Sequence, residues 1–331
     1  MNKRTASRIA ALAAIGSGAL LVAAVIATKM RIQSSIGILA EHTDNQALDY
    51  DSAIARYAEV QAAEDDTINP VCRSKIMTHG AKTENVIVLV HGITNCPEQF
   101  AEFAPLFFER GYNVLIPRMP RNGLADRMTD ELKYLTAEEL RDCSNTLVDI
   151  ACGLGDHITF LGLSVGGVMT AWAAQHRSEI DKAVVIAPSI GFTNLGADRL
   201  SSFAIMLFRI LPNIGTQHFS PFSDGPRHSY LGFSSRSFGV VMRFGKSILK
   251  SAKQEKPAAQ SILMVSNAAD TAVNSKINRE LVNFWRANGY DQIEEYEFSA
   301  DKKLIHDIID PQQVQQQTDL VYPILLDLIT C

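Results

Sequence analysis

A serine, an aspartate and a histidine that could form a proton-relayed nucleophile stand in this 331-residue chain, each near the end of a strand-like run. Residues 162–166 read Gly-Leu-Ser-Val-Gly, a serine between two glycines at the end of an apolar run. A serine hydroxyl attacks well only when a base takes its proton, and the base needs an acid to orient it. Four histidines follow Ser164. His176 falls at the far end of the next helical stretch, and His218 and His228 fall in an irregular segment. His306, in DKKLIHDIIDP, comes after the last strand-like run and is the candidate base. Asp270, in SNAAD, closes an earlier strand-like run and is the candidate acid. Asp301 is the fallback, and Asp307 is placed to point elsewhere. Charge that develops on a carbonyl oxygen needs two backbone N–H donors. One is expected from Val165, the residue after the serine. The other is expected from the loop His91-Gly92-Ile93-Thr94, with His91 a structural support beneath it.

Such a serine must sit on a tight strand-to-helix turn with small flanking residues, here Gly162 and Gly166. Ile158–Leu161 reads as that strand and Val165–Gln175 as that helix. Strands are also predicted at Val86–Val90, Asn113–Ile116, Ala183–Ile186, Ile262–Val265 and Ile293–Phe298. Helices are predicted near Pro97, from the capping box Thr136-Ala-Glu-Glu139 to about Ile150, at Ser275–Ala287, and from Asp310-Pro311 to about Ile329 with a kink at Pro323. This alternation predicts an α/β fold, a mostly parallel sheet with helices on both faces. In such sheets ligands gather at the carboxyl ends of the strands.

Residues at about 192–256 break the rhythm and read as a helical cap insertion. Within it, Leu200–Leu211 and Gly239–Leu249 place Phe203, Met206, Leu207 and Phe244 at near-helical spacing. That stripe either lines a pocket for an apolar ester or packs the cap onto the core. At the other end of the chain, residues 9–28 carry no charge over 20 positions, the length of a membrane-crossing helix. Residues 1–29 therefore read as an N-terminal membrane anchor or, in the alternative, a cleaved signal. Either places the rest outside the cytoplasm, periplasmic or extracellular. Residues 30–69 are polar and alanine-rich and read as a stalk or linker, and 70–331 as the α/β domain.

A net charge of −5 without any dense basic block argues against nucleic acid as a partner. None of the five cysteines forms a C-x-x-C pair, so no metal is implied, nor is any cofactor. Cys72–Cys96 or Cys143–Cys152 bridges are open possibilities, as are buried free thiols.

The segments HGITNCPEQF, GLSVGG, NAADTAV and IHDIIDP, in this order, resemble the α/β-hydrolase superfamily, in its carboxylesterase and monoacylglycerol-lipase-like branch. The resemblance covers roughly residues 70–331. It implies Ser164, Asp270 and His306 as a catalytic triad and the amides of Ile93 and Val165 as the oxyanion hole. PRMPRNG at 117–123 departs from the P-G-H-G that relatives often carry there. The implied activity is hydrolysis of a small-molecule or lipid ester. A thioesterase, amidase or peptidase with the same triad, or a catalytically silent binding domain, are the alternatives.

Overall fold

A strand buried on both faces needs apolar residues at every position, and VIVLV at 86–90 is such a run. The structure, a computed structural model, describes residues 39–40, 45–191, 212–217, 225–273 and 275–330. In it β1 (Lys75–Met77) is followed by β2 (Thr83–Val90). Val86, Val88 and Val90 enter one core while Ile87 and Leu89 enter another, the two-residue period of a strand. β2 pairs in parallel with β3 (Asn113–Ile116) on one side and β4 (Gly155–Leu163) on the other. β5 (Lys182–Ile186) extends the sheet beside β4. Two short strands, β6 (Gly215–Gln217) and β7 (Gly232–Ser234), pair apart from it. β8 (Ser261–Asn267) and β9 (Ile293–Phe298) complete a seven-stranded sheet of order β1-β3-β2-β4-β5-β8-β9, in which only β1 runs antiparallel to its neighbour.

Helices cover both faces. Along the chain they are α1 (Tyr50–Ala62), α2 (Phe103–Phe108), α3 (Ala137–Leu154), α4 (Val165–His176), α5 (Ser235–Ala252), α6 (Ser275–Ala287) and α7 (Thr318–Thr330). Apolar residues of α2 and α7, such as Phe103 and Leu325, join Ile87 and Leu89 in one core. Those of α1, α3, α4, α5 and α6 join Val86 and Val88 in the other. Both partners of the capping box that opens α3 are present, Thr136 accepting from the Glu139 N–H and Glu139 from the Thr136 N–H.

Some expected boundaries move. The stalk assigned to 30–69 does not hold for its described part, because α1 packs on α3 with Ala53 and Tyr57 buried. The fit depends on Gly153 of α3, where an added Cβ would lie 2.4 Å from the Asp49 carbonyl and 2.8 Å from Ala53 Cβ. Alanines suit so close an approach, so a stretch that is weakly apolar in sequence is buried all the same. Glu64 beyond α1 is also buried, accepting from Ser74 and pairing with Arg118 at 3.0 Å.

The cap insertion ends earlier than 256. α5 is the crossover that a parallel β5–β8 pair requires, and Val241, Phe244, Ile248 and Ala252 line its core-facing side. The last helix starts at Thr318 rather than just after Pro311. Asp310 is engaged by Asn95, His228 and the Gln312 N–H, and the polar run to Gln317 forms turns, while the Gln316 side chain accepts from the Thr318 N–H. Cys72 and Cys96 form a disulfide, whereas Cys143 and Cys152 are free. The apolar run 9–28 and the cap residues Phe203, Met206 and Leu207 lie outside the described residues. Among the described residues no helix is long and apolar enough to cross a membrane.

Candidate active site

The carboxyl ends of five parallel strands meet at one edge of the sheet, and each delivers a loop to the same place. β4 ends at Leu163, and Ser164 follows with φ +60° and ψ −114°, a conformation that costs a non-glycine residue free energy. The turn is tight for a visible reason. A Cβ on Gly162 would lie 2.2 Å from the Gly166 carbonyl, and one on Gly166 would lie 2.1 Å from the Val90 carbonyl. Only glycines admit this contact between β4, α4 and the end of β2. The turn leaves Ser164 at the wall of a cavity of about 710 Å³, with Val165 opening α4 beside it. As the first residue of α4, Val165 has no intrahelical acceptor for its N–H.

β9 ends at Phe298, and the loop that follows brings His306 to the wall of that cavity. β8 ends at Asn267 and Asp270 comes next, with Asp270 Oδ2 2.6 Å from His306 Nδ1. The aspartate side chain is 4% exposed and the imidazole 25%. Burial works against the Asp270 charge, but the hydrogen bond to His306, its charge, and the N–H groups of Ala272 and Val273 outweigh burial and hold the carboxyl below its ordinary range. Asn267 ties the two loops together. Its amide nitrogen donates to the carbonyls of Leu304 and Ile305, and its oxygen accepts from the Ala269 N–H. Asp301, by contrast, is exposed and accepts from Ser299.

After β2, His91 is fully buried with Nδ1 bonded to the Gly92 carbonyl at 2.8 Å and Nε2 accepting from the Met119 N–H at 3.0 Å. Burial pushes its pKa down to about 3, so the ring is neutral and holds the loop in place. The Gly92 N–H is taken by Gln99 Oε1 at 2.9 Å. Ile93 lines the cavity one residue further on. At Gly92 an added Cβ would find only ordinary contact, 3.6 Å from Ser164 Cβ, so the glycine is not demanded by space.

Several residues at the site carry no motif. Ser189, three residues after the end of β5, has its Oγ 2.9 Å from Ser164 Oγ. Gln99 also donates to Asp307 Oδ2 at 2.8 Å, and Asn95 donates to Asp307 at 3.1 Å and Asp310 at 2.8 Å. Asp307 thus points away from His306, toward the loop after β2. Burial and the Asp310 charge raise its pKa. The rule that strand ends gather function would have picked out Ser189. Nothing in the sequence pairs Gln99 or Asn95 with a loop more than 200 positions away.

The cavity walls are apolar at Leu163, Phe233, Phe238, Val241, Val273 and Ile305, and neutral polar groups such as Ser229 and Gln313 interrupt them. No lysine or arginine lines it among the described residues. Phe244 is not part of this wall. It is fully buried and stacks on Trp172 at 6.3 Å between centroids, because the helical turn has carried it past Phe238 and Val241 into the core. No group of three or more acidic, histidine or cysteine side chains able to hold a metal occurs among the described residues.

Known proteins share this arrangement of elements. One of two metagenome-derived lipolytic enzymes, LipS and LipT, superposes with a TM-score of 0.61 at 17% identity, over 80% of this chain and 99% of its own. A monoacylglycerol lipase from Paleococcus ferrophilus gives 0.58 at 17% identity, over 77% and 97%. A soluble variant of monoglyceride lipase from Saccharomyces cerevisiae, in complex with a substrate analogue, gives 0.53 at 15% identity, over 78% and 90%. At these identities the likeness is one of fold. No curated protein matches the chain in sequence. Residues 87–286, more than half of the chain, match the alpha/beta hydrolase family, and the chain belongs to it.

Proposed function

We propose that this protein is a serine hydrolase that cleaves carboxylic esters through an acyl-enzyme intermediate. Ser164 attacks the ester carbonyl while His306 takes its proton, and Asp270 holds the imidazole and its developing positive charge. The leaving alcohol departs with the proton from His306. Water, activated by the same imidazole, then releases the acid. The N–H groups of Val165 and Ile93 receive the oxyanion, and each such donor is worth about 10²–10³ in rate.

The observation that carries this reading is the 2.6 Å Asp270–His306 contact opening onto the same cavity as the constrained Ser164 turn. The mostly apolar walls favour a substrate with an apolar acyl chain. The lipolytic and monoacylglycerol-lipase names of the structural neighbours agree with that substrate class. The test is a panel of p-nitrophenyl esters of increasing acyl length, run on the wild type and on Ser164→Ala. The wild type is expected to hydrolyse at least the short members, with activity at least ~10³-fold lower in the variant. Equal rates in the two proteins would rule out Ser164 as the nucleophile.

A further inference from the structure

Ser164 has a second serine at its reacting atom. Ser189 Oγ lies 2.9 Å from Ser164 Oγ, and Ser189 is 3% exposed, at the cavity wall. Backbone bonds fix the pair. The Ser164 N–H donates to the Ile186 carbonyl at 3.0 Å, and the Ser189 N–H donates to the Ser164 carbonyl at 3.1 Å. Between them Ala187 has φ +39°, and its N–H donates to the Val265 carbonyl at 2.9 Å. The fold therefore holds a left-handed alanine in place, and the loop it shapes sets a hydroxyl against the nucleophile.

The direction of this hydrogen bond follows from proton count. Ser164 carries one hydroxyl proton, and when that proton is directed at His306, Oγ can only accept from Ser189. We infer that Ser189 is a catalytic residue whose hydroxyl donates to Ser164 Oγ and speeds the departure of that oxygen during deacylation. The inference rests on the serine-hydrolase reading above.

In the acyl-enzyme, Ser164 Oγ is an ester oxygen whose lone pair is delocalised toward the carbonyl, so it accepts weakly. Water adds to the carbonyl carbon as His306 takes one of its protons. The tetrahedral adduct then collapses. The C–Oγ bond breaks, its electron pair goes to Oγ, His306 returns the proton there, and the carboxylic acid leaves. Ser189 keeps its own proton throughout. Charge on Oγ grows as the bond breaks, so the hydrogen bond from Ser189 strengthens in that transition state, and only such strengthening accelerates a step. Acylation starts from a free alcohol, already a good acceptor, and gains little.

The two half-reactions separate with a p-nitrophenyl ester, whose good leaving group makes deacylation limiting. The burst rate then reports acylation, kcat reports deacylation, and intact-protein mass spectrometry reports the acyl-enzyme. Loss of one neutral hydrogen bond predicts that Ser189→Ala lowers kcat roughly three- to tenfold. Its burst rate and its labelling by a fluorophosphonate stay within about twofold of wild type, and acyl-enzyme accumulates. Ser189→Thr, which keeps the hydroxyl, restores kcat. Ser189→Cys, close in shape with a weak donor, serves as the second test should the alanine variant melt early, and falls between the two. Burst rate and kcat falling together would overturn the inference, since Ser189 would then only shape the turn. Unchanged kcat would overturn it as well. Absence of both burst and Ser164 labelling in the wild type would instead sink the serine-hydrolase reading, and the inference with it.

Discussion

At the scale of single residues, the proposed chemistry depends on an imidazole oriented by a charged carboxylate. Asp270→Asn keeps the shape but lets Nδ1 face a donor as readily as an acceptor. It is expected to lower kcat by about 10³-fold or more with a small change in KM, measured on the best ester of the panel. The same carboxylate bears on acid stability. Its native pKa lies below the ordinary 3.8, so its contribution is present above that value and is lost as the pH falls through the native pKa. Acid unfolding followed by circular dichroism should therefore be less steep below about pH 4 for Asp270→Asn than for wild type. Gln99 offers a different kind of check. Its removal leaves the Gly92 N–H without its acceptor and uncouples that loop from Asp307, so Gln99→Ala should cost about 1–3 kcal/mol in denaturant unfolding. The places of Ser164 and Asp270 were legible in the sequence because each follows a strand that its own apolar run announces, and that of His306 because it follows the last strand-like stretch, IEEYEF. Gln99 and Asn95 were not, because their roles depend on loops that meet only in space, and Ser189 was legible only as a strand-end residue, without its contact to Ser164.

At the scale of elements, the turn between β4 and α4 is defined by backbone contact rather than by side chains. Gly166→Ala would press a methyl group against the Val90 carbonyl, and the expected loss is about 3 kcal/mol or more, with expression or thermal unfolding as the readout. The disulfide joins the segment before β1 to Cys96, just beyond the loop that carries Ile93. Closing 24 positions of chain is worth about 3 kcal/mol in the unfolded-state argument, so a reductant should lower the melting temperature and Cys72→Ala/Cys96→Ala should reproduce it. Strand and helix positions followed from hydrophobic period. The burial of α1 did not, since alanine set against glycine packs closely without an apolar stripe. α5 shows the opposite case. Its apolar face was visible in sequence, but whether it faces a cap or a sheet is decided by the crossover between β5 and β8.

For the molecule as a whole, α1 is part of the folded body. Tyr57 is 1% exposed and its hydroxyl donates to the Lys75 carbonyl at 2.9 Å, so Tyr57→Ala should cost about 3–5 kcal/mol in chemical unfolding. A truncation that removes α1 should not fold. Two free thiols report on the same integrity. Burial pushes Cys143 up to about 12 and Cys152 up to about 11, leaving at pH 8 about one thiolate in 10⁴ and 10³ respectively. Both should react more slowly with a thiol reagent in the native protein than after unfolding.

The most direct test of the central claim is the site of fluorophosphonate labelling, read by mass spectrometry after digestion of the native protein. The account predicts one labelled peptide, carrying the probe on Ser164, with labelling abolished in Ser164→Ala and slowed by at least ~10²-fold in His306→Ala. Ester hydrolysis that persists while the probe lands on another residue, or on none, would contradict it.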